Sequence, residues 1–382
     1  MKPQPARPAK QPTLKRVAWI AGLLALLGSA GAMANTCQFA ADNPLGNQPV
    51  TANMPLVGGS LTVGRDLPLG TEIYRQTFMP GTSTVIHCTN LTGQILERNY
   101  FSSTPLPLSP WIGSPHGERV YQSGVPGVGV AIWFRSDTLP YNWNMSNCDS
   151  MMASCIVRSG AGNMALVVSL IKIGEVSPGS INGAVFPSVV RDLQTSNVLT
   201  TLRLRFSGVI NIVSRTCSTP DVTVPMGTHQ LSEFSGVNSA TPWKDFSIAL
   251  NNCPAFHGFY SGTGPRWNQQ SGDADNLDSR KSNLLRLRLD PVRTAINPGQ
   301  GILSLDPSAP GGAAAASGIG LQVADSHGGA LPLATLRPSG ITPRATEGAS
   351  YSIPLKARYI QTAGRITAGP ANASAVFTIN YQ

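Results

Sequence analysis

Three sets of residues in this 382-residue chain have types and spacings that could do chemistry. Ser169-Leu-Ile-Lys172 matches the spacing of a serine–lysine hydrolase pair, in which an amine takes the proton of the attacking hydroxyl. It lies within Leu166-Val-Val-Ser-Leu-Ile-Lys-Ile173, an apolar run that reads as a buried strand, and no companion motif follows it. Asp137 and Asp149 would be a glycosidase pair, but loops between strands carry carboxylates in any case. His87, His116, His229, His257 and His327 are scattered, with no nucleophile signature beside them. The chain therefore reads as no enzyme, a secreted glycan-active hydrolase being the weakest alternative.

The remaining set suits binding. Trp111, Trp133, Phe134, Tyr141 and Trp143 supply flat apolar faces, and Asp137, Asn142, Asn144, Asn147 and Asp149 supply donors and acceptors close to them in the chain. Saccharides are held by that mixture, because rings pack on the C–H face of the sugar while amides and carboxylates fix its hydroxyls. Trp133 is expected in the core of the strand Val128 to Arg135. The ligand-binding expectation rests on Tyr141, Asn142, Trp143 and Asn144, with Asp137 and Asp149.

Six cysteines occur: Cys37, Cys88, Cys148, Cys155, Cys217 and Cys253. An even count in an exported chain reads as three disulfides, and about 15 pairings are formally open. Sequential pairing keeps each bridge inside one candidate domain, giving Cys37 with Cys88, Cys148 with Cys155 and Cys217 with Cys253. The small ring between Cys148 and Cys155 would stiffen the Asn-rich loop and lower its ordering cost on binding. Zinc is the competing use of cysteine, but no Cys-x-x-Cys pair is present, so no metal and no cofactor are expected.

Export is read from the front end. Lys2, Arg7, Lys10, Lys15 and Arg16 precede the apolar run Val17 to Leu27, and Ala32-Met33-Ala34 supplies small residues for cleavage, so residues 1–34 read as a signal peptide. Removing them takes away five of the 28 basic residues and none of the 19 acidic ones, which lowers the formal charge from +9 to +4. No run of Lys and Arg interleaved with aromatics appears, which argues against nucleic acid as a partner.

The elements that must position these residues are strands. The chain has 39 Gly, 31 Pro and 12% charged residues, with short apolar stretches cut by turn residues and no long 3.6-period segment with capping signals. An all-β fold of two β-sandwich domains is expected, since the length exceeds one ordinary core. The boundary is set near residue 207, between alternating segments either side of Ser207-Gly208, giving domains 35–207 and 208–382. The low-complexity stretch Ala309 to Ser317 reads as a flexible loop within the second. In the last ten residues, Ala373, Ala375, Phe377, Ile379 and Tyr381 occupy one face of a period-two strand that runs to the end of the chain.

From residue 206 onward the chain resembles the pilin subunits of bacterial fimbriae assembled by the chaperone–usher pathway. The resemblance rests on the strand leading to Cys217, on Phe246-Ser-Ile-Ala-Leu-Asn-Asn-Cys253, on the Ala357-Arg-Tyr359 strand, and on an ending with Gly369 fourteenth from the terminus and Tyr381 penultimate. It implies an incomplete immunoglobulin-like sandwich lacking its seventh strand, with an acceptor groove that Phe377, Ile379, Tyr381 and Gly369 line or flank. It also implies the partners: a periplasmic chaperone that fills the groove and holds the carboxylate of Gln382, an outer-membrane usher, and the next fimbrial subunit, whose donated strand replaces the chaperone's. Only Asn35 and Thr36 would precede Cys37 after cleavage, leaving no donor strand, so the chain is expected at the fimbrial tip on the cell surface. Domain 35–207 would then be a lectin-like domain for a host glycan or glycoprotein receptor, the alternative being a structural initiator or cap that binds nothing.

Overall fold

The computed structural model of the protein describes residues 4–5, 35–89, 95–145, 154–159 and 165–382. Apart from residues 4–5, the expected leader lies outside the described residues, as do Asn147, Cys148 and Asp149. Strands and short 3-10 turns make up the regular structure, and the described residues contain no α-helix. The all-β expectation is met because the Gly/Pro punctuation leaves no apolar run long enough to form anything else.

The first sandwich has two principal sheets. One is ordered Tyr141–Met145, Ile95–Ser103, Ser188–Gln194, Val198–Ser207, Val50–Pro55; the other contains Glu72–Met79, Leu166–Lys172 and Val128–Phe134 as neighbours. Alternation decides what enters the space between them. Val50, Ala52 and Met54 point inward while Thr51 and Asn53 face solvent. Val128, Val130, Ile132 and Phe134 join that core, and Ala131 turns outward to a small cluster with Val120 and Ile171. Each fully buried Leu, Ile or Phe contributes about 1.5–3 kcal/mol relative to exposure. At one end Cys37 and Cys88, directly opposite each other on paired strands, form a disulfide within a second apolar cluster. Cys155 is oxidised too.

The second sandwich encloses its own core between the sheet Lys244–Cys253, Ala349–Gln361, Ile319–Asp325, Ile302–Leu303 and the sheet Arg337–Pro338, Leu285–Pro291, Ala375–Tyr381. The Cys217–Cys253 disulfide ties the entering chain to the first of these strands. The stretch Ala309 to Ser317 packs against the chain ahead of the terminal strand, with Ala316 N–H donating to the Pro370 carbonyl at 2.9 Å.

Two features depart from a division at residue 207. The strand Val209–Val213, expected to open the second domain, pairs with Gly179–Asn182 and Ser60–Thr62, and its Ile210 and Ile212 complete the first core. The chain therefore crosses between sandwiches at Ser214–Thr216. The reason is the alternation itself: Val209, Asn211 and Val213 face away while both isoleucines find the apolar space of the first sandwich. The second departure is larger. Between Lys244–Cys253 and Leu285–Pro291 the chain returns to the first sandwich: Phe259 and Tyr260 are buried in its core, and Arg266–Asn268 adds to the edge of Glu72–Met79 as a parallel strand.

Candidate functional site

A broad concavity lies on the second sandwich, beside the terminal strand. Ala375–Tyr381 pairs with Leu285–Pro291 along its length, and among the described residues no strand pairs with its other edge. On the other side of the concavity, the chain after Cys217 runs from Val222 to His229 without joining a sheet. Between these two walls is a groove of ≈ 790 Å³ floored by Phe246, Ile248, Leu303, Leu321 and Val323. The floor of the groove is apolar because the inward face of each strand beneath it continues the core. Unpaired backbone N–H and C=O groups along an open strand edge add a directional element to that apolar floor.

The residues expected to line this groove separate into two pairs. Phe377 and Gly369 line it. Phe377 is only half-buried, since nothing covers it on the groove side. Gly369 is required by close approach, because a Cβ there would stand 2.1 Å from the Ala314 carbonyl oxygen. Ile379 and Tyr381 are instead already covered: both are buried in the second core and neither lines the groove. Tyr381 stacks on Phe256 with its hydroxyl accepting from Cys217 N–H at 3.0 Å, and burial raises the pKa of that hydroxyl.

The physical reason is a joint. Asp66 of the first sandwich accepts from Tyr381 N–H at 2.8 Å through its carboxylate and donates its own N–H to the Tyr381 carbonyl at 3.1 Å. Gly64 permits the approach, as a Cβ there would lie 2.2 Å from the Tyr381 oxygen. Thr62 hydroxyl donates to the Ala255 carbonyl and accepts from His257 N–H, Asn283 donates to the Thr62 carbonyl, and the Arg280 guanidinium donates to the carbonyls of Ser60 and His257 at 2.9 and 2.7 Å.

On the first sandwich, the residues expected to bind ligand are dispersed by strand geometry. Tyr141–Met145 is an edge strand paired with Ile95–Ser103. Tyr141 and Trp143 therefore share a face with Asn99 and Glu97, while Asn142 and Asn144 project from the opposite face. Asp137 is exposed at the end of the preceding turn. The aromatic rings and the amides do not converge. Tyr141 is half-buried, and burial, with Glu97 adding, pushes its hydroxyl up to about 12. Trp133 is not in the first core: it stands on the outer face of its sheet, half-buried, its indole N–H donating to Ser169 Oγ at 2.9 Å and Arg75 lying 5.0 Å over the ring. Phe134 takes the core position next to it.

Ser169 and Lys172 are held apart from each other. Ser169 Oγ donates to Glu72 Oε1, whereas Lys172 Nζ donates to the carbonyls of Gly64 and Arg65 and has its pKa lowered by burial. No group of three or more His, Cys, Asp and Glu side chains among the described residues could hold a metal.

Comparison with known proteins bears on the groove. The family model described as Fimbrial protein matches residues 204–382. A type-1 fimbrial protein subunit of Serratia marcescens is 31% identical over 188 residues, covering 47% of this chain and 86% of that protein. The chain belongs to the fimbrial protein family. Its fimbrial domain contains the groove, the Cys217–Cys253 disulfide and the terminal strand, and the chain is a fibre protein and not an enzyme. Among solved structures, the CupB6 tip adhesin of Pseudomonas aeruginosa is 16% identical with a TM-score of 0.32, covering 91% of this chain and 94% of that one. The receptor-binding domain of the MrkD1P adhesin of Klebsiella pneumoniae is 18% identical with a TM-score of 0.31, covering 48% and 98%.

Neither Arg135 nor Arg191, which meet at Phe134, was legible as part of a site. The adjacent charges Arg191 and Asp192, set between the apolar Val189-Val190 and Leu193, are the one signal that pointed to Arg191.

Proposed function

We propose that the protein is the tip adhesin of a chaperone–usher fimbria, joined to the fibre by accepting a strand from another subunit. The observation that carries this reading is the apolar groove beside an unpaired strand edge. An exposed edge over an apolar floor is an aggregation hazard, and a strand laid into it satisfies the backbone groups and covers Phe377 in one step. The periplasmic chaperone fills the groove first, and the N-terminal strand of the next subunit replaces it at the outer-membrane usher. The division of the chain supports the tip position: the first sandwich, with a core of its own, precedes the fimbrial domain, where an adhesin carries its receptor-binding part. That sandwich, bearing Trp143 and Tyr141 at one edge, attaches the bacterium to a host glycan or glycoprotein.

The test is made on the full chain, co-expressed with its chaperone and then mixed with a peptide of alternating apolar residues. Exchange of chaperone for peptide, with a large rise in melting temperature, is the expected result. A Phe377→Asp variant should fail to take up the peptide. A chain that is stable and monomeric with no occupant, and that takes up no strand, overturns the reading. Peptide-loaded chain applied to immobilised glycans and host glycoproteins separates the adhesin from a structural cap, since a cap takes up the strand and retains no receptor.

A further inference from the structure

A buried cation in the first sandwich has no role in strand capture. Arg191 is 4% exposed and lies on the inward face of Ser188–Gln194, where its neighbours Val189 and Leu193 are apolar and buried. Its Nε donates to Asn99 Oδ1 at 2.7 Å and stands 3.6 Å from Glu97 Oε1, and Asn99 in turn donates to Glu97 at 2.9 Å. That network commits Nε of the guanidinium. Nη2 is buried and has no hydrogen-bond partner among the described residues. Leaving a charged donor uncommitted inside a sandwich is costly, where an aliphatic residue like those flanking it would cost nothing.

From that buried donor the network runs outward to the edge strand, through Asn99 opposite Arg191. Tyr141 pairs with Asn99 and Trp143 with Glu97, so both rings stand over the same network, and Trp143 is 41% exposed. A second guanidinium lies at the rim. Arg135 is exposed, lies 4.6 Å over the Trp143 ring and 5.0 Å over the Phe134 ring, and makes no ion pair among the described residues. Arg191 lies 4.7 Å over that same Phe134 ring. The two guanidinium groups therefore share one ring, that of Phe134. A flat exposed indole beside two cations, one unpaired and one with a spare donor, fits a ligand that has both a ring face and an anion. Arginine forks match the planar carboxylate best.

We propose that this edge of the first sandwich binds an acidic saccharide, its ring on Trp143 and its carboxylate on Arg135, with the uncommitted side of Arg191 as the cation behind it. The inference rests on the adhesin reading and names the ligand class for it. It is tested with the peptide-loaded full chain on immobilised uronate- and sialate-terminated oligosaccharides, the same glycans after carboxyl reduction, sulfated glycans and neutral glycans. Retention of the carboxylate glycans is expected, falling at least about tenfold on carboxyl reduction and in Arg135→Gln and Trp143→Ala. Both variants alter exposed side chains and should melt as the parent does; Arg191→Gln is secondary, because it disturbs a buried network. Equal retention of neutral, sulfated or carboxyl-reduced glycans, or binding unchanged in Arg135→Gln, overturns the inference and leaves the adhesin intact. A chain that takes up its strand and retains no glycan or glycoprotein overturns both.

Discussion

Arg280 shows how much one side chain can hold at the joint between the sandwiches. It comes from the second half of the chain, stacks 4.9 Å over Tyr260, and donates to backbone carbonyls of the first half that no other side chain reaches as a fork. Charge-assisted hydrogen bonds of this kind contribute about 1.5–3 kcal/mol. Arg280→Ala should destabilise the whole chain by roughly that amount in denaturant unfolding, and Arg280→Lys should recover little of it, because a point charge cannot serve several carbonyls in one plane. The histidines set a pH dependence. His116 is depressed below its ordinary value of 6.5 by burial, and His257 by burial with Arg280 adding. Their folded forms resist a proton that the unfolded chain accepts, so stability falls as pH drops through about 6.5 toward 5. The depressed carboxyls of Asp325 and Glu347 act in a lower window, below their ordinary values of 3.8 and 4.5. Melting temperatures across the histidine window should fall less in a His116→Gln, His257→Gln variant than in the parent, and parallel curves would refute the assignment. What was legible at this scale was residue type and period. The strand face of Phe377 followed from alternation, whereas the Arg191–Glu97–Asn99 network depended on which strands become neighbours, which alternation alone does not specify.

Single elements explain why the groove reaches only part of the terminal strand. The period-two pattern of residues 373–381 marks one face as apolar, and that face is inward as expected. It does not reveal that the strand's last residues are closed by Asp66, because a contact across more than three hundred residues leaves no local signature. The closure depends on Gly64. A Gly64→Ala substitution would drive a methyl group into the Tyr381 carbonyl, and a backbone atom cannot rotate away. Separation of the joint, with a loss of about 1–3 kcal/mol, is expected; hydrogen exchange should show the Tyr381 amide, bonded to Asp66, losing protection while the Gln382 amide, bonded to the Leu284 carbonyl, keeps its own. The disulfide Cys217–Cys253 closes a separation of 36 residues. Replacing both cysteines by serine should cost roughly 3–4 kcal/mol on loop-entropy grounds, read as a lowered melting temperature, and should loosen the Val222–His229 wall that starts from it.

The whole molecule is more tightly joined than two sandwiches on a short connector would be. Composition and turn punctuation foretold all-β structure and two cores, and the family resemblance marked the second of them. Neither indicated that the second half contributes Phe259, Tyr260 and an edge strand to the first, since that segment is irregular and rich in Gly, Asn and Asp. Cores that share a segment should melt together, so the strand-loaded chain is expected to unfold in one calorimetric transition; two separated transitions would show that the joint is weaker than its contacts imply. A fragment ending at residue 213 should be markedly less stable than the same residues in the full chain, because a slot for Tyr260 is left empty beside Tyr74.

The excursion of residues 255–283 also sets an order on events at the membrane. A chain that emerges from its N-terminus onward cannot finish its leading sandwich when the last residue of that sandwich's own sequence arrives. It must wait about fifty-five residues more, until Tyr260 and Arg266–Asn268 have followed and been threaded back. By then the strand Lys244–Cys253 has already emerged, and the trailing sandwich needs its own final strand before it can be capped. Completion of the leading half is thus timed by the emergence of the trailing half, and a stall anywhere between residues 213 and 268 leaves both halves open at once.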